Sequence, residues 1–129
     1  MEPDVLVVDD SAAIRKILQR VLHQTGMAIH TILEAGNGEE ALAIMNKQKI
    51  GLVLSDINMP KMDGIQLLAA LKATPAWRDI PVVMITTEGG ETKVGEAVRL
   101  GAAGYVRKPF TADQIKEKLV GILEPARSL

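Results

Sequence analysis

A short apolar run that ends on a single aspartate constrains this chain more than any other stretch. Residues 52–54 read Leu-Val-Leu, Ser55 follows, and the run ends at Asp56. The Met59-Pro60 pair that comes next stops the strand, because a residue before proline is driven into extended or turn geometry. Continuous apolar runs of this kind are typical of strands buried on both faces of a parallel sheet. We therefore predict that Asp56 lies at the carboxyl end of a buried strand, where open α/β sheets bind ligands.

Strands and helices are predicted to alternate five times along the chain. The strand-like runs lie at residues 5–8, 29–33, 52–55, 82–85 and 105–106, and the second of them is the weakest. Each is followed by a stretch in which apolar residues recur at helical spacing. This alternation predicts an α/β fold, an open five-stranded parallel sheet with helices on both faces.

Helix starts carry recognisable capping residues. Ser11, Asn37, Asp63 and Thr111 each precede a helical stretch, and the last three are followed three residues later by Glu40, Gln66 and Gln114, as in a capping box. Acidic Asp113 also fits the first turn of a helix. In the first helix, which Gly26 should end, we predict a single buried face made of Ile14, Ile17, Leu18, Val21 and Leu22.

Composition excludes several classes of function. The 129 residues suit one domain, and the absence of cysteine excludes disulfides and thiolate metal sites. A net charge of −1 gives no electrostatic basis for binding nucleic acid or anionic lipid. No apolar run approaches the roughly 18 residues of a membrane span, and the acidic start Met1-Glu2-Pro3-Asp4 is unlike a signal peptide. We expect a cytoplasmic domain with no membrane or nucleic-acid partner.

Reactive side chains follow four of the five predicted strands. They are Asp9-Asp10, Asp56, Thr86 and Lys108, whereas the second strand runs into Glu34-Ala35. The carboxyl ends of parallel strands share one edge of a sheet, so residues that are distant in sequence should converge there.

The chemistry of this set points to phosphoryl transfer. Three carboxylates and one ammonium leave a charge of −2, which a divalent cation would balance, and oxygen ligands suit Mg²⁺. An aspartate that faces both a metal and Lys108 can attack phosphorus, because the two cations offset charge on the phosphoryl oxygens. The Thr86 hydroxyl could then donate to a phosphoryl oxygen. Taken alone, however, Thr86 also fits ordinary strand packing and Lys108 an ordinary surface lysine.

Together these motifs resemble the receiver domain of two-component response regulators over about residues 4–123. The resemblance is carried by Asp9-Asp10, the stretch 56–64 (Asp-Ile-Asn-Met-Pro-Lys-Met-Asp-Gly), Thr86 and Lys108-Pro109-Phe110. It is greatest for the stand-alone, CheY-like chemotaxis regulators. It implies a flavodoxin-like sheet with strand order 2-1-3-4-5.

The resemblance implies a role for each matching residue. Asp56 would accept a phosphoryl group from a histidine kinase, and Lys108 would pair with that group. Asp10 and Asp56 would bind Mg²⁺ directly, Asn58 would supply its backbone carbonyl, and Asp9 would act through water.

Further roles concern signalling. Thr86 and Tyr105 would form a switch pair, although Tyr105 also fits simple packing. Asn58 and Glu88 would tune the rates of phosphorylation and hydrolysis, and the Lys108-Pro109 peptide bond would be cis. The family often has an aromatic residue beside the acceptor, where this chain has Ile57, so its single tryptophan, Trp77, should report metal binding only weakly.

The resemblance also implies a domain organisation. We expect residues 1–124 to form one receiver domain, residues 125–129 to be a frayed tail, and no output domain to be attached. A monomer would then signal through a separate protein, with the flagellar motor switch as a candidate, and would catalyse only its own phosphorylation and dephosphorylation.

Two other functions remain open. An aspartate-based phosphohydrolase needs an acid two residues after its nucleophile, but Asn58 stands there and cannot donate a proton as an acid does. A phosphate-independent binding module would need none of the converging side chains.

Overall fold

The computed structural model describes residues 2–87 and 91–123. Within these ranges the strands are β1 (Asp4–Val8), β2 (Thr31–Ala35), β3 (Leu52–Asp56), β4 (Val82–Thr86) and β5 (Gly104–Arg107). They alternate with helices α1 (Ala12–Gln24), α2 (Gly38–Lys47), α3 (Gly64–Ala73), α4 (Glu91–Leu100) and α5 (Ala112–Leu123). All four strand pairs are parallel, and the sheet order is β2-β1-β3-β4-β5. The predicted fold class and strand order are therefore confirmed.

The sheet separates two apolar cores. Alternate residues of β1 point to opposite sides: Val5 and Val7 pack with α1 and α5, whereas Leu6 and Val8 pack with α2, α3 and α4. β3 and β4 are buried at every position. A strand that is covered on both faces must be apolar on both, which explains the continuous apolar runs in the sequence.

The predicted helix caps are present, with one difference of detail. Ser11, Asn37, Asp63 and Thr111 each accept a hydrogen bond from the backbone N–H three residues later. Gln66 and Gln114 complete reciprocal capping boxes with Asp63 and Thr111. In α2, the Glu40 carboxylate instead accepts from the N–H of Gly36.

One predicted core residue of α1 is wrong. Leu18, Val21 and Leu22 are buried and Ile14 packs against the same core, but Ile17 is 45% exposed. Leu18 follows Ile17 by a rotation of about 100° and takes the position that faces the sheet. Gly26, at φ +71°, ends the helix region as predicted.

The second strand lies two residues later than predicted. The weak pattern suggested residues 29–33, but β2 spans Thr31–Ala35. β2 is an edge strand with Thr31 and Glu34 exposed, so its apolar signal is diluted. Ile29 packs against the core without joining the sheet.

The predicted tail at residues 125–129 lies outside the described ranges. Within those ranges no helix is both long enough and apolar enough to cross a membrane.

Candidate functional site

Asp56 is the last residue of β3 and is only 7% exposed. The chain beyond it turns back, because the N–H of Gly64 donates to the Ile57 carbonyl at 2.8 Å. α3 thereby starts directly against β3: a Cβ atom built on Gly64 would lie 2.2 Å from the Asp56 carbonyl oxygen. This close approach fixes the backbone at the end of β3, from which the Asp56 side chain extends.

Three carboxylates meet at this edge, as the strand ends predicted. One oxygen from each of Asp9, Asp10 and Asp56 lies within 4.8 Å of the others. Asp9 is 1% exposed, whereas Asp10 is exposed. The Asp9 Oδ1 atom accepts from the N–H of Ser11 at 2.8 Å, so the start of α1 fixes its orientation.

Lys108 follows β5, two strands away from β3 in the sheet, and brings a positive charge to these carboxylates. Its Nζ atom lies 3.1 Å from Asp9 Oδ2 and 3.6 Å from Asp56 Oδ1. Its backbone N–H donates to the Thr86 carbonyl at 2.6 Å, and the following Lys108-Pro109 bond is cis. The side chain therefore reaches from the end of β5 across to β3 and β1.

Burial dominates the electrostatics of Asp56. Loss of solvent raises its pKa, Lys108 opposes this, the Asp9 charge reinforces it, and the backbone N–H groups of Asn58 and Ile57 lower it. One ammonium does not neutralise three carboxylates, so the cluster favours a bound cation. Carboxylate oxygens with room for water are the ligands that Mg²⁺ prefers, and this donor set fits that ion.

Arg15 is a member of the site region that the sequence did not identify. Its Nη1 group donates to the Asp9 carbonyl, and its Nε group donates to Glu34 at 2.8 Å. Gln19 also donates to Glu34, at 2.6 Å, and the Arg15 guanidinium lowers the pKa of that carboxyl. Glu34 of β2, the one strand not expected to end on a site residue, thus helps to hold Arg15 against the backbone of Asp9.

Thr86 and Tyr105 lie on the neighbouring strands β4 and β5, where Tyr105 pairs with Met84, two residues before Thr86. Thr86 is 2% exposed, and its hydroxyl donates to the Thr87 carbonyl at 3.1 Å. The Tyr105 ring is 42% exposed, and Lys118 lies 5.8 Å from its centroid. The Thr86 hydroxyl is thus hydrogen-bonded to the neighbouring backbone, and the Tyr105 side chain faces solvent.

Asn58 has one contact that sequence reasoning missed. Its exposed side chain accepts from Lys93 Nζ at 3.0 Å. No sequence signal distinguishes Lys93 from an ordinary surface lysine of a helix. Glu88, the other residue predicted to tune rates, lies outside the described residues.

Comparisons with known proteins agree with this geometry. The family model described as response regulator receiver domain matches residues 5–120 of this chain. A chemotaxis protein CheY homolog of Campylobacter jejuni is 38% identical over 120 residues, which are 92% of this chain and 91% of that protein. Chemotaxis protein CheY1 of Helicobacter pylori is 40% identical over 92% of this chain and 95% of its own. The structure of chemotaxis response regulator CheY4 of Vibrio cholerae superposes with a TM-score of 0.84 at 32% identity, covering 95% of this chain and 100% of that one.

Proposed function

Because the chain belongs to the response regulator receiver domain family, we propose that Asp56 accepts a phosphoryl group from a histidine kinase in a Mg²⁺-dependent reaction. The phosphorylated domain then signals by binding a separate protein in the cytoplasm. The observation that carries this proposal is the meeting of Asp9, Asp10 and Asp56 within 4.8 Å, with Lys108 Nζ 3.6 Å from the Asp56 carboxylate.

The proposed transfer exchanges one bond to phosphorus for another. A carboxylate oxygen of Asp56 forms a P–O bond while the P–N bond to the donor histidine breaks, and the electron pair leaves with the imidazole. Lys108 Nζ is close enough to the Asp56 carboxylate to pair with the phosphoryl oxygens, where charge accumulates in the transition state. A bound Mg²⁺ would supply further charge compensation. The product carries a charge near −2 with three acceptor oxygens, in place of −1.

The carboxylates divide naturally between direct and indirect metal contacts. Both Asp9 oxygens already accept hydrogen bonds, from Ser11 and from Lys108. This supports the assignment of Asp10 and Asp56 as direct ligands, with Asp9 acting through water. The backbone carbonyl of Asn58 is proposed to complete the protein ligands.

The signal is proposed to leave through Thr86 and Tyr105. A phosphoryl oxygen on Asp56 would draw the Thr86 hydroxyl from the Thr87 carbonyl, and the outward Tyr105 ring would turn into the vacated space. A state that binds its effector about a hundredfold better shifts the equilibrium by ~2.7 kcal/mol, which suffices for a switch. The surface of α4, β5 and α5 around Tyr105 is the proposed docking surface.

Chemotaxis is the proposed pathway, because the named relatives are chemotaxis proteins that match most of this chain. The output partner would be a flagellar motor switch or an equivalent motility protein. No separate substrate turnover is proposed, because Asn58 cannot protonate a leaving group; rapid hydrolysis of small phosphate esters would contradict this.

A phosphotransfer assay tests the acceptor. The protein is incubated with radiolabelled acetyl phosphate, with Mg²⁺ or with EDTA. We expect Mg²⁺-dependent labelling of the wild type that is absent in Asp56→Ala and retained in Asp79→Ala, a control at an exposed aspartate. Labelling that survives Asp56→Ala, or that ignores Mg²⁺, would refute the site assignment.

A binding assay tests the signal. The protein is immobilised with Mg²⁺ and beryllofluoride, an analogue of the phosphoryl group, and its captured partners are compared with those of the untreated protein. Enrichment of a motility protein only on the treated form is expected. Identical capture by both forms would favour the phosphate-independent binding module instead.

A further inference from the structure

Lys93 makes a side-chain contact that the proposed reaction does not yet use. It lies in the first turn of α4, which starts at Glu91, and its Nζ atom donates to Asn58 Oδ1 at 3.0 Å. The two residues are 35 positions apart in the sequence. The contact therefore ties the start of α4 to the loop that follows the acceptor strand.

The contact between Lys93 and Asn58 lies at the same edge of the sheet as Asp56, the proposed acceptor. β3 and β4 are neighbours, and Asp56 pairs with the residue immediately before Thr86. Asn58 follows β3 and Lys93 follows β4, so their contact spans the carboxyl edge between these two strands. The backbone N–H of Asn58 also faces the Asp56 carboxylate. Lys93 is thus linked to the acceptor through a single residue.

The chemistry of the contact fixes the orientation of the amide. An ammonium group can only donate hydrogen bonds, so it binds the oxygen of the Asn58 amide and leaves the NH₂ group for another partner. The N-terminal turn of a helix disfavours a cation, because the unpaired backbone N–H groups there are partly positive. Helix stability therefore does not explain a lysine at this position.

We propose that Lys93 is a positioning residue that holds the Asn58 amide over the acceptor and slows hydrolysis of the phosphoryl group. The inference rests on the proposed phosphorylation of Asp56. In hydrolysis a water oxygen attacks phosphorus, the bond from phosphorus to the Asp56 oxygen breaks, and Asp56 leaves as a carboxylate. The proton of the attacking water goes to the phosphate or to solvent. In this proposal the held amide obstructs the approach of that water to phosphorus.

Two substitutions of Lys93 separate the effect of its charge from the effect of its aliphatic chain. Lys93→Met removes the ammonium and keeps a long apolar chain, whereas Lys93→Arg keeps a donor cation. Each protein is labelled with acetyl phosphate and Mg²⁺, the donor is removed, and loss of label is followed. We expect loss to be about threefold to tenfold faster in Lys93→Met. The rate should return towards that of the wild type in Lys93→Arg and should be unchanged in Lys116→Met, a control at an exposed lysine of α5.

A double substitution tests whether Lys93 acts through Asn58. In an Asn58→Ala background, Lys93→Met should cause no further change, since the amide that it positions is gone. An equal acceleration in both backgrounds would overturn the inference. So would an unchanged or slower loss of label in the single Lys93→Met variant.

The failures of the two proposals are distinguishable. If the wild type takes no label on Asp56, both proposals fall. If it does, and Lys93→Met loses label at the wild-type rate, only the role of Lys93 falls. The contact itself is checked by NMR in the unphosphorylated protein, where Lys93→Met should shift the side-chain NH₂ resonances of Asn58. Unshifted resonances would overturn the inference whatever the labelling result.

Discussion

Replacing Gly64 with alanine tests whether α3 must begin in direct contact with β3. The added Cβ atom would lie 2.2 Å from the Asp56 carbonyl oxygen, 2.8 Å from Met84 Cε and 2.9 Å from Ile57 Cα. To restore an ordinary contact of 3.4 Å, the carbonyl oxygen would have to move by about 1.2 Å. The Met84 side chain can turn away, but the Asp56 backbone is held by its pairing with Ile85 of β4, and its carbonyl accepts a hydrogen bond from the Ser55 hydroxyl at 2.9 Å.

The expected cost of this substitution is large for one methyl group. Overpacking costs about 1–3 kcal/mol, and a backbone neighbour places this site at the upper end. Alanine regains little helix propensity at the first helical position. We expect the free energy of unfolding to fall by about 2–3 kcal/mol. For a chain of 129 residues this corresponds to a drop of roughly 7–11 °C in Tm.

Urea unfolding followed by circular dichroism at 25 °C measures this change. Gly121→Ala is the matched control, because Gly121 lies in α5 with no atom within 4 Å of its added Cβ. That substitution should stabilise the protein by up to about 1 kcal/mol, since alanine favours helix more than glycine does. Gly64→Ala and Gly121→Ala changes of the same sign and size would refute the packing argument.

Four further predictions concern single residues. Burial raises the pKa of Asp56, so its carboxyl group stays protonated to a higher pH in the folded state than in the unfolded state. In EDTA, the free energy of unfolding of the wild type, compared with that of Asp56→Asn, should therefore fall as pH rises from about 4. Parallel urea midpoints for the two proteins would contradict this. Arg15→Met should weaken Mg²⁺ binding about tenfold in calorimetry, because Asp9 loses the donor to its carbonyl; unchanged affinity would show that Arg15 is dispensable. Lys61 has φ +66°, so Lys61→Gly should stabilise the protein by about 0.5–1 kcal/mol in urea unfolding, and a loss of stability would exclude backbone strain there. Trp77 precedes β4, at the opposite edge of the sheet from Asp56, and its emission should barely respond to Mg²⁺, whereas strong quenching would place the ion elsewhere.

Much of the fold could be predicted because its strands are buried on both faces. β1, β3 and β4 appear in the sequence as unbroken apolar runs, and their ends could be located from the polar residues that follow. β2 was placed two residues too early because an edge strand is only partly apolar. Ile17 was misassigned because hydrophobic spacing cannot tell the centre of a buried helix face from its rim.

The candidate site was predictable to the extent that strand ends define it. Asp9, Asp10, Asp56 and Lys108 meet as expected, since parallel strands bring their carboxyl ends together. The supporting contacts were not predictable. Arg15 and Lys93 have long side chains whose partners lie 19 and 35 residues away in the sequence, so local spacing carries no trace of them.

The complete burial of β3 has a consequence for how the sheet aligns itself. A strand that is buried on both faces loses little hydrophobic burial when it shifts by one residue, because its side chains on either face fit an apolar core. Sliding β3 further into the sheet, however, would carry Asp56 away from Lys108 and leave an unpaired charge among apolar neighbours. The charge of Asp56 therefore favours the native register of β3 over registers shifted further into the sheet. A substitution that neutralises Asp56 should therefore weaken the preference of β3 for this register, an effect separate from any loss of signalling.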